Sequence, residues 1–224
     1  MNTAYFITGT DTGVGKTLVS CALLHAFAAQ GKTVVGMKPV AAGCEPTPHG
    51  LACEDVTSLV AASNVSAPQH LINPYAFQPP IAPHIAAAQA GITIELDSVC
   101  AAYAALRALA EVVIVDGVGG WRVPLSSHED TADLARQLGL PVILVVGMRL
   151  GCLSHALLTA QAIEASGLKL AGWVANCIDP LMLAFDDTLC ALQVRLAAPL
   201  LGVVPYISQP AAQPAEHLCL DKLT

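Results

Sequence analysis

The chain has 224 residues, of which 54% are apolar and only 12% are Asp, Glu, Lys or Arg, about half the ~25% charged share of soluble proteins at large. That excludes a disordered chain and leaves one or at most two domains able to bury ~70–75% of their unfolded surface. Ten basic against seventeen acidic residues give a formal charge of −7 with no basic cluster, which argues against a nucleic-acid partner; the strongest apolar run, 140–148, is broken by Pro141 and Gly147 and is far short of the ~20 residues that span a bilayer.

Residues 4–8 read as the first strand, entered at once with no secretory leader before it. The segment G-T-D-T-G-V-G-K-T, Gly9 to Thr17, follows and opens a helix over 16–30 that stops at Gly31. Strand, glycine-rich turn and helix are the setting a phosphate-binding loop needs. Gly13 and Gly15 let the backbone turn its N–H groups inward, and the helix start adds partial positive charge. Gly13, Val14, Gly15, Lys16, Thr17 and Leu18 are the expected nucleotide contacts, with Lys16 on the β- and γ-phosphates and the Thr17 hydroxyl on Mg²⁺. The first glycine of the general pattern belongs at position 10, and Gly9 is one residue early.

A second strand over 33–38 ends on Lys38, with Pro39 expected to stop further pairing. An ammonium there, near Lys16, suits charge stabilisation on a transferring phosphoryl group. Asp55 begins a helix over 55–62, and Asp116 closes the apolar strand 112–116; with Thr17 these two carboxylates make a set of hard oxygen ligands. The proline-rich stretch 67–83 reads as an ordered excursion between helical segments. Helices over 96–109, 131–138, 153–166 and 184–196 alternate with strands 142–146, 170–175 and 201–204, and the tail from about residue 209 is expected to be loose. The βα alternation predicts an α/β fold: a P-loop-type, mostly parallel sheet with helices on both faces, in one domain over residues 1–224. Eight cysteines without a C-x-x-C pair or zinc spacing suggest reduced thiols in a cytoplasmic protein.

The P-loop segment, K-P-V-A-A-G (38–43), N-P-Y-A-F (73–77), P-H-I-A (83–86), V-D-G-V-G-G-W (115–121), P-V-I-L-V-V-G (141–147), L-G-C-L-S-H (150–155) and A-G-W-V-A-N (171–176) come in the order and contexts of one family. Through most of its length the chain resembles the dethiobiotin synthetases of biotin biosynthesis. The resemblance implies ATP- and Mg²⁺-dependent ring closure of 7,8-diaminopelargonic acid with carbon dioxide in a homodimer, with Lys16 and Lys38 as catalytic residues. It further implies nucleotide contacts from Asp55, Asp116, Gly117, Val118, Gly119, Asn176, Cys177, Pro205, Tyr206 and Ile207, with Asn176 on the adenine edge. Thr17, Asp55 and Asp116 would hold Mg²⁺. Thr12, Lys38 and Ala42 would meet the substrate's reacting end, and Gly151, Cys152, Leu153 and Ser154 of the neighbouring subunit its carboxylate. Four positions depart from the family pattern: Ala42 for serine, Asp116 for glutamate, Cys177 for aspartate and Ser154 for asparagine. The rival class is an ATP-dependent partitioning switch on the same fold. Its signature lysine, five residues before the P-loop lysine, is replaced here by Asp11.

Overall fold

The structure is a computed structural model that describes residues 3–48, 50–207 and 214–223. In chain order the first half holds β1 (Thr3–Gly9), α1 (Lys16–Ala29), β2 (Val34–Met37), β3 (Val40–Ala42), β4 (Glu45–Thr47), β5 (Gly50–Ala52), α2 (Glu54–Ala62), α3 (Gln69–Ile72), β6 (Tyr75–Phe77), α4 (Pro83–Gln89) and α5 (Leu96–Leu109). The second half holds β7 (Val112–Asp116), α6 (Thr131–Leu138), β8 (Val142–Met148), α7 (Cys152–Ala165), β9 (Leu170–Cys177), α8 (Phe185–Arg195) and β10 (Leu200–Val204).

The six strands expected from sequence are the six members of one parallel sheet, ordered β10-β9-β8-β1-β7-β2. Their apolar runs are continuous because both faces are covered. The period of two sorts the side chains. Tyr5, Ile7, Val112, Ile114, Ile143 and Val145 pack on one face with Val19, Leu23 and Leu24 of α1 and Leu59 of α2. Phe6, Val113, Val115, Leu144 and Val146 pack on the other with Val99 and Leu106 of α5, Leu134 of α6 and Ile163 of α7. α6 starts on a capping box in which the Asp130 side chain accepts from the Ala132 and Asp133 N–H groups, sparing two otherwise unpaired donors.

Two expectations change. Pro39 ends pairing in the main sheet, but the chain does not stay irregular: Val40–Ala42 pairs in parallel with Tyr75–Phe77 as a separate two-stranded sheet, so the proline-rich excursion carries a strand. The tail is not loose where it is described. Residues 208–213 lie outside the described residues, but Leu218 bridges Gly202, the Cys219 N–H donates to the Leu201 carbonyl at 2.8 Å, and Leu218, Leu220 and Leu223 pack on the α1 side of the core. The returning segment shields edge strand β10, whose free backbone groups would otherwise invite pairing with another chain.

Candidate active site

Parallel strands bring all their carboxyl ends to one rim, where open α/β sheets bind ligands. Here β1 lies between β8 and β7, with β2 beyond β7. Register pairs Ile7 with Asp116 and Met37 with Val115, so the next residue of β2's path, Lys38, arrives beside Asp116.

The loop between β1 and α1 is shaped by close approach. A Cβ on Gly9 would lie 2.5 Å from Val14 Cγ2, which explains the early glycine: the loop packs its own valine against the strand end. Gly15 has φ +88, and a Cβ there would lie 2.1 Å from Asn176 Nδ2. That amide donates to the Val14 carbonyl at 2.8 Å, so β9 buttresses the loop from below. Gly15 caps α1 in the left-handed conformation without any side-chain hydrogen bond, leaving the first-turn N–H groups for an anion.

Lys16 is 7% exposed, and its Nζ donates to the Asp11 carbonyl at 3.2 Å. Burial pulls its pKa below the ordinary 10.5 and neighbouring Lys38 adds to this, against the pull of Asp116, Asp55 and Asp11. A bound polyanion would relieve that depression. Lys38 is 3% exposed. Its Nζ lies 2.7 Å from Asp55 Oδ2 and 2.9 Å from Asp116 Oδ2 and donates to the Gly117 carbonyl at 3.1 Å. Burial is the largest influence on it, but the two carboxylates together outweigh it and raise its pKa. Burial also works to raise the Asp55 pKa; Lys38, Thr17 and Lys16 overcome it and hold the carboxyl below its ordinary value.

The Thr17 hydroxyl donates to Asp116 Oδ2 at 2.7 Å and lies near enough to Asp55 to help lower that carboxyl's pKa. Asp116 is fully buried, and its Oδ1 has no hydrogen-bond partner. A buried carboxylate oxygen with unused lone pairs calls for a ligand. With the Thr17 hydroxyl and Asp55 it forms a set of hard oxygen donors that fits Mg²⁺, a cation that keeps several waters and shares nucleotide phosphates. Among the described residues no three His, Cys, Asp or Glu side chains cluster as a protein-only metal cage, so phosphate oxygens and water would complete the shell.

Lys16, Thr17, Lys38 and Asp55 open on a cleft of about 700 Å³, lined also by Thr12, Gly13, Gly15, Leu18, Ala42, Val118 and Gly119; Asp116 is fully buried and does not line it. Gly119, at φ +59, faces Thr12. Pro80, Ile81, Ala82, Pro83 and Val123 complete the wall. Sequence reasoning gave these five no role, although the P-P pair before P-H-I-A marks a rigid segment. The loop after Asp116 is held by Thr131, whose hydroxyl donates to the Trp121 carbonyl at 2.5 Å, and by an Arg122–Asp130 ion pair. A second cavity, about 620 Å³, lies behind α2 among uncharged residues such as Cys53, Val56, Val60 and Asn64; without a charged side chain it offers nothing to a polyphosphate.

The remaining candidates sit elsewhere on the rim. Asn176 abuts the loop, while Cys177 turns its thiol to the Asp179 carbonyl at 3.6 Å. Pro205 and Tyr206 are exposed past β10, and Ile207 packs partly on the core. Gly151, Cys152, Leu153 and Ser154 form the start of α7 and do not line the cleft of their own chain. Gly151, at φ +93, caps α7 without a side-chain hydrogen bond, so this helix start resembles that of α1.

A glycine loop, an open helix start and two lysines around an acidic pair at the sheet's carboxyl rim are the working parts of a P-loop nucleotide-using protein. Solved structures agree on the fold. The MinD cell division protein of Aquifex aeolicus superposes with a TM-score of 0.57 at 14% identity, covering 97% of this chain and 88% of that one. The cell division protein FtsY of Thermotoga maritima gives 0.53 at 16% identity over 96% of this chain and 67% of that one. Sequence relatives are far nearer. An AAA domain family model matches residues 3–213. The ATP-dependent dethiobiotin synthetase BioD of Nitrosospira multiformis is 61% identical over 92% of this chain and 89% of its own length. That of Aromatoleum aromaticum is 58% identical over 95% and 94%. The chain belongs to the dethiobiotin synthetase family, ATP-using enzymes of the ligase class.

Proposed function

We propose that this chain, a single P-loop domain, joins carbon dioxide to 7,8-diaminopelargonic acid and closes the ureido ring of dethiobiotin, with release of ADP and phosphate. One substrate amine takes up carbon dioxide as a carbamate and loses a proton. A carbamate oxygen attacks the γ-phosphorus and displaces ADP, forming a carbamic–phosphoric anhydride. The second amine attacks the carbamoyl carbon and loses a proton to solvent, and phosphate leaves with the C–O bond's electrons. The observation that carries this reading is Lys38, buried between Asp55 and Asp116 and close enough to Lys16 to depress its pKa.

A weak anionic nucleophile must approach a polyanion, so the site has to supply positive charge already in place. Lys16 and the α1 N–H groups would hold the phosphates. Lys38 would meet the equatorial oxygens of the transferring group, with Thr12 and the Ala42 backbone beside the amine end. Thr17, Asp55 and Asp116 would hold Mg²⁺, which supplies charge neutralisation on the phosphate oxygens. Asn176, with its amide nitrogen committed to Val14, would present its carbonyl oxygen to the adenine amino group; Cys177 and residues 205–207 would flank the base.

The start of α7 would bind the substrate carboxylate through Gly151, Cys152, Leu153 and Ser154, across a homodimer. Support for a second copy comes from Leu150, 96% exposed, and Leu153 at that helix start and Leu158, 61% exposed, further along the same helix, a group of apolar side chains that a partner would cover. The workplace is the cytoplasm, where the eight thiols stay reduced; among the described residues no helix is long and apolar enough to cross a membrane. The test is phosphate release from ATP with Mg²⁺ and bicarbonate. Release that requires diaminopelargonate supports the reading, and release indifferent to it points to a switch ATPase instead.

A further inference from the structure

The phosphate loop contains one acidic side chain, Asp11, in a place where any carboxylate repels a polyphosphate. Its carbonyl holds Lys16 Nζ at 3.2 Å, and its charge is felt by Lys16. The side chain is fully engaged: Oδ1 accepts from the Thr12 N–H at 2.7 Å, and Oδ2 lies 2.5 Å from Arg149 Nη2. Arg149 follows the end of β8, the strand beside β1, and its carbonyl accepts from the Cys152 N–H at 3.0 Å in the turn that starts α7. One ion pair therefore joins the phosphate loop to the α7 turn across neighbouring strand ends.

We propose that Arg149 is a positioning residue of the nucleotide site, acting through Asp11: it cancels the charge of the loop's only carboxylate, which would otherwise repel the polyphosphate beside Lys16. The inference rests on the nucleotide reading above and adds a residue to it. Two features separate this role from a merely structural one. Both side chains are nearly half exposed, 43% and 45%, so the pair adds little to folding stability. And the pair is asymmetric toward a polyanion: losing Arg149 exposes a repelling charge, whereas losing Asp11 frees an attracting one.

The test measures binding of AMP, ADP and a non-hydrolysable ATP analogue with Mg²⁺ by calorimetry, using the full chain, Arg149→Gln, Asp11→Asn, the double variant and Arg149→Lys. Arg149→Gln is expected to weaken the triphosphate about tenfold and AMP less than about threefold, because repulsion grows with ligand charge. The loss shrinks in ~1 M salt, where the Debye length is about 3 Å. Asp11→Asn binds at least as tightly as wild type, the double variant follows Asp11→Asn, and Arg149→Lys recovers most of the loss. All four melt within about 3 °C of wild type. The proposal is overturned if the double variant is as weak as Arg149→Gln, if AMP and the triphosphate lose equally, or if Arg149→Gln binds normally. A folded wild type that binds none of the three nucleotides removes the nucleotide reading and this inference with it.

Discussion

Replacing Lys38 by glutamine keeps most of the side chain's volume and one donor but removes the charge that Asp55 and Asp116 share. The ammonium is 3% exposed and Asp116 fully buried. Removing one partner from a buried ion pair costs about 3–5 kcal/mol, because the other charge stays behind uncompensated. That is a large part of the ~5–15 kcal/mol that holds a domain folded. Asp55, with a side chain 44% exposed, relaxes into water and adds little. The pH dependence follows from the directions of the shifts. Lys38 titrates above its ordinary 10.5 in the folded chain, so its contribution is complete below 10.5 and is lost as pH rises through the higher folded value. Asp55 titrates below its ordinary 3.8, so its contribution holds above 3.8 and is lost as pH falls through the lower folded value. The stability deficit of Lys38→Gln is therefore flat between about pH 5 and 9 and narrows on both sides of that window, in strong acid as Asp55 takes up a proton and in strong alkali as Lys38 gives one up. Urea denaturation across that range measures it, and Lys38→Gln/Asp116→Asn should recover most of the deficit. Turnover is a separate reading: phosphate release by folded Lys38→Gln should fall ~10²–10³-fold with ATP still bound. A folded variant with wild-type turnover refutes the role given to Lys38, and an unchanged urea midpoint refutes the claim that Asp116 depends on it.

Asp116→Asn removes a charged oxygen from the proposed metal set, and a Mg²⁺ titration of phosphate release should move to higher concentration; an unmoved curve takes Asp116 off the ligand list. Gly15→Ala forces a Cβ to within 2.1 Å of the Asn176 amide at φ +88, so the variant should lose nucleotide affinity and melt lower, by roughly 2–4 °C for each kcal/mol of strain in a chain of this size. Asn176→Ala in the same chain removes the clash but not the left-handed strain and should recover only part of the melting temperature. Leu158→Glu places a charge on the exposed face of α7, and sedimentation of the wild type as a dimer with the variant as a monomer is the expected outcome.

Much of this protein was legible without coordinates because its signals are local. Continuous valine and isoleucine runs announce strands covered on both faces, and all six fell in the main sheet. Gly-rich turn, lysine and helix announce an anion site through the chemistry of a few consecutive residues. Lys38 and Asp116 could be singled out as strand-end charges in a chain poor in charge. The segment after Pro39 was not legible, because three residues of β3 find their partner 35 positions later in β6, and a strand that short has no periodicity to read. The described part of the tail was misjudged for a related reason: its prolines argue against helix or strand, but its leucines are paid for by an edge that only the assembled sheet exposes.

Composition and pattern settled the alternation of strand and helix and the phosphate loop, and singled out the charged side chains proposed for its chemistry, since each depends on neighbours within a turn or two of chain. Strand order and register decided which of those residues meet. They bring Lys38 beside an aspartate 78 residues away, seat Asn176 under a loop 162 residues before it, and set Arg149 against Asp11. Such contacts arise when distant segments share the burial of one sheet, and no local pattern encodes that choice.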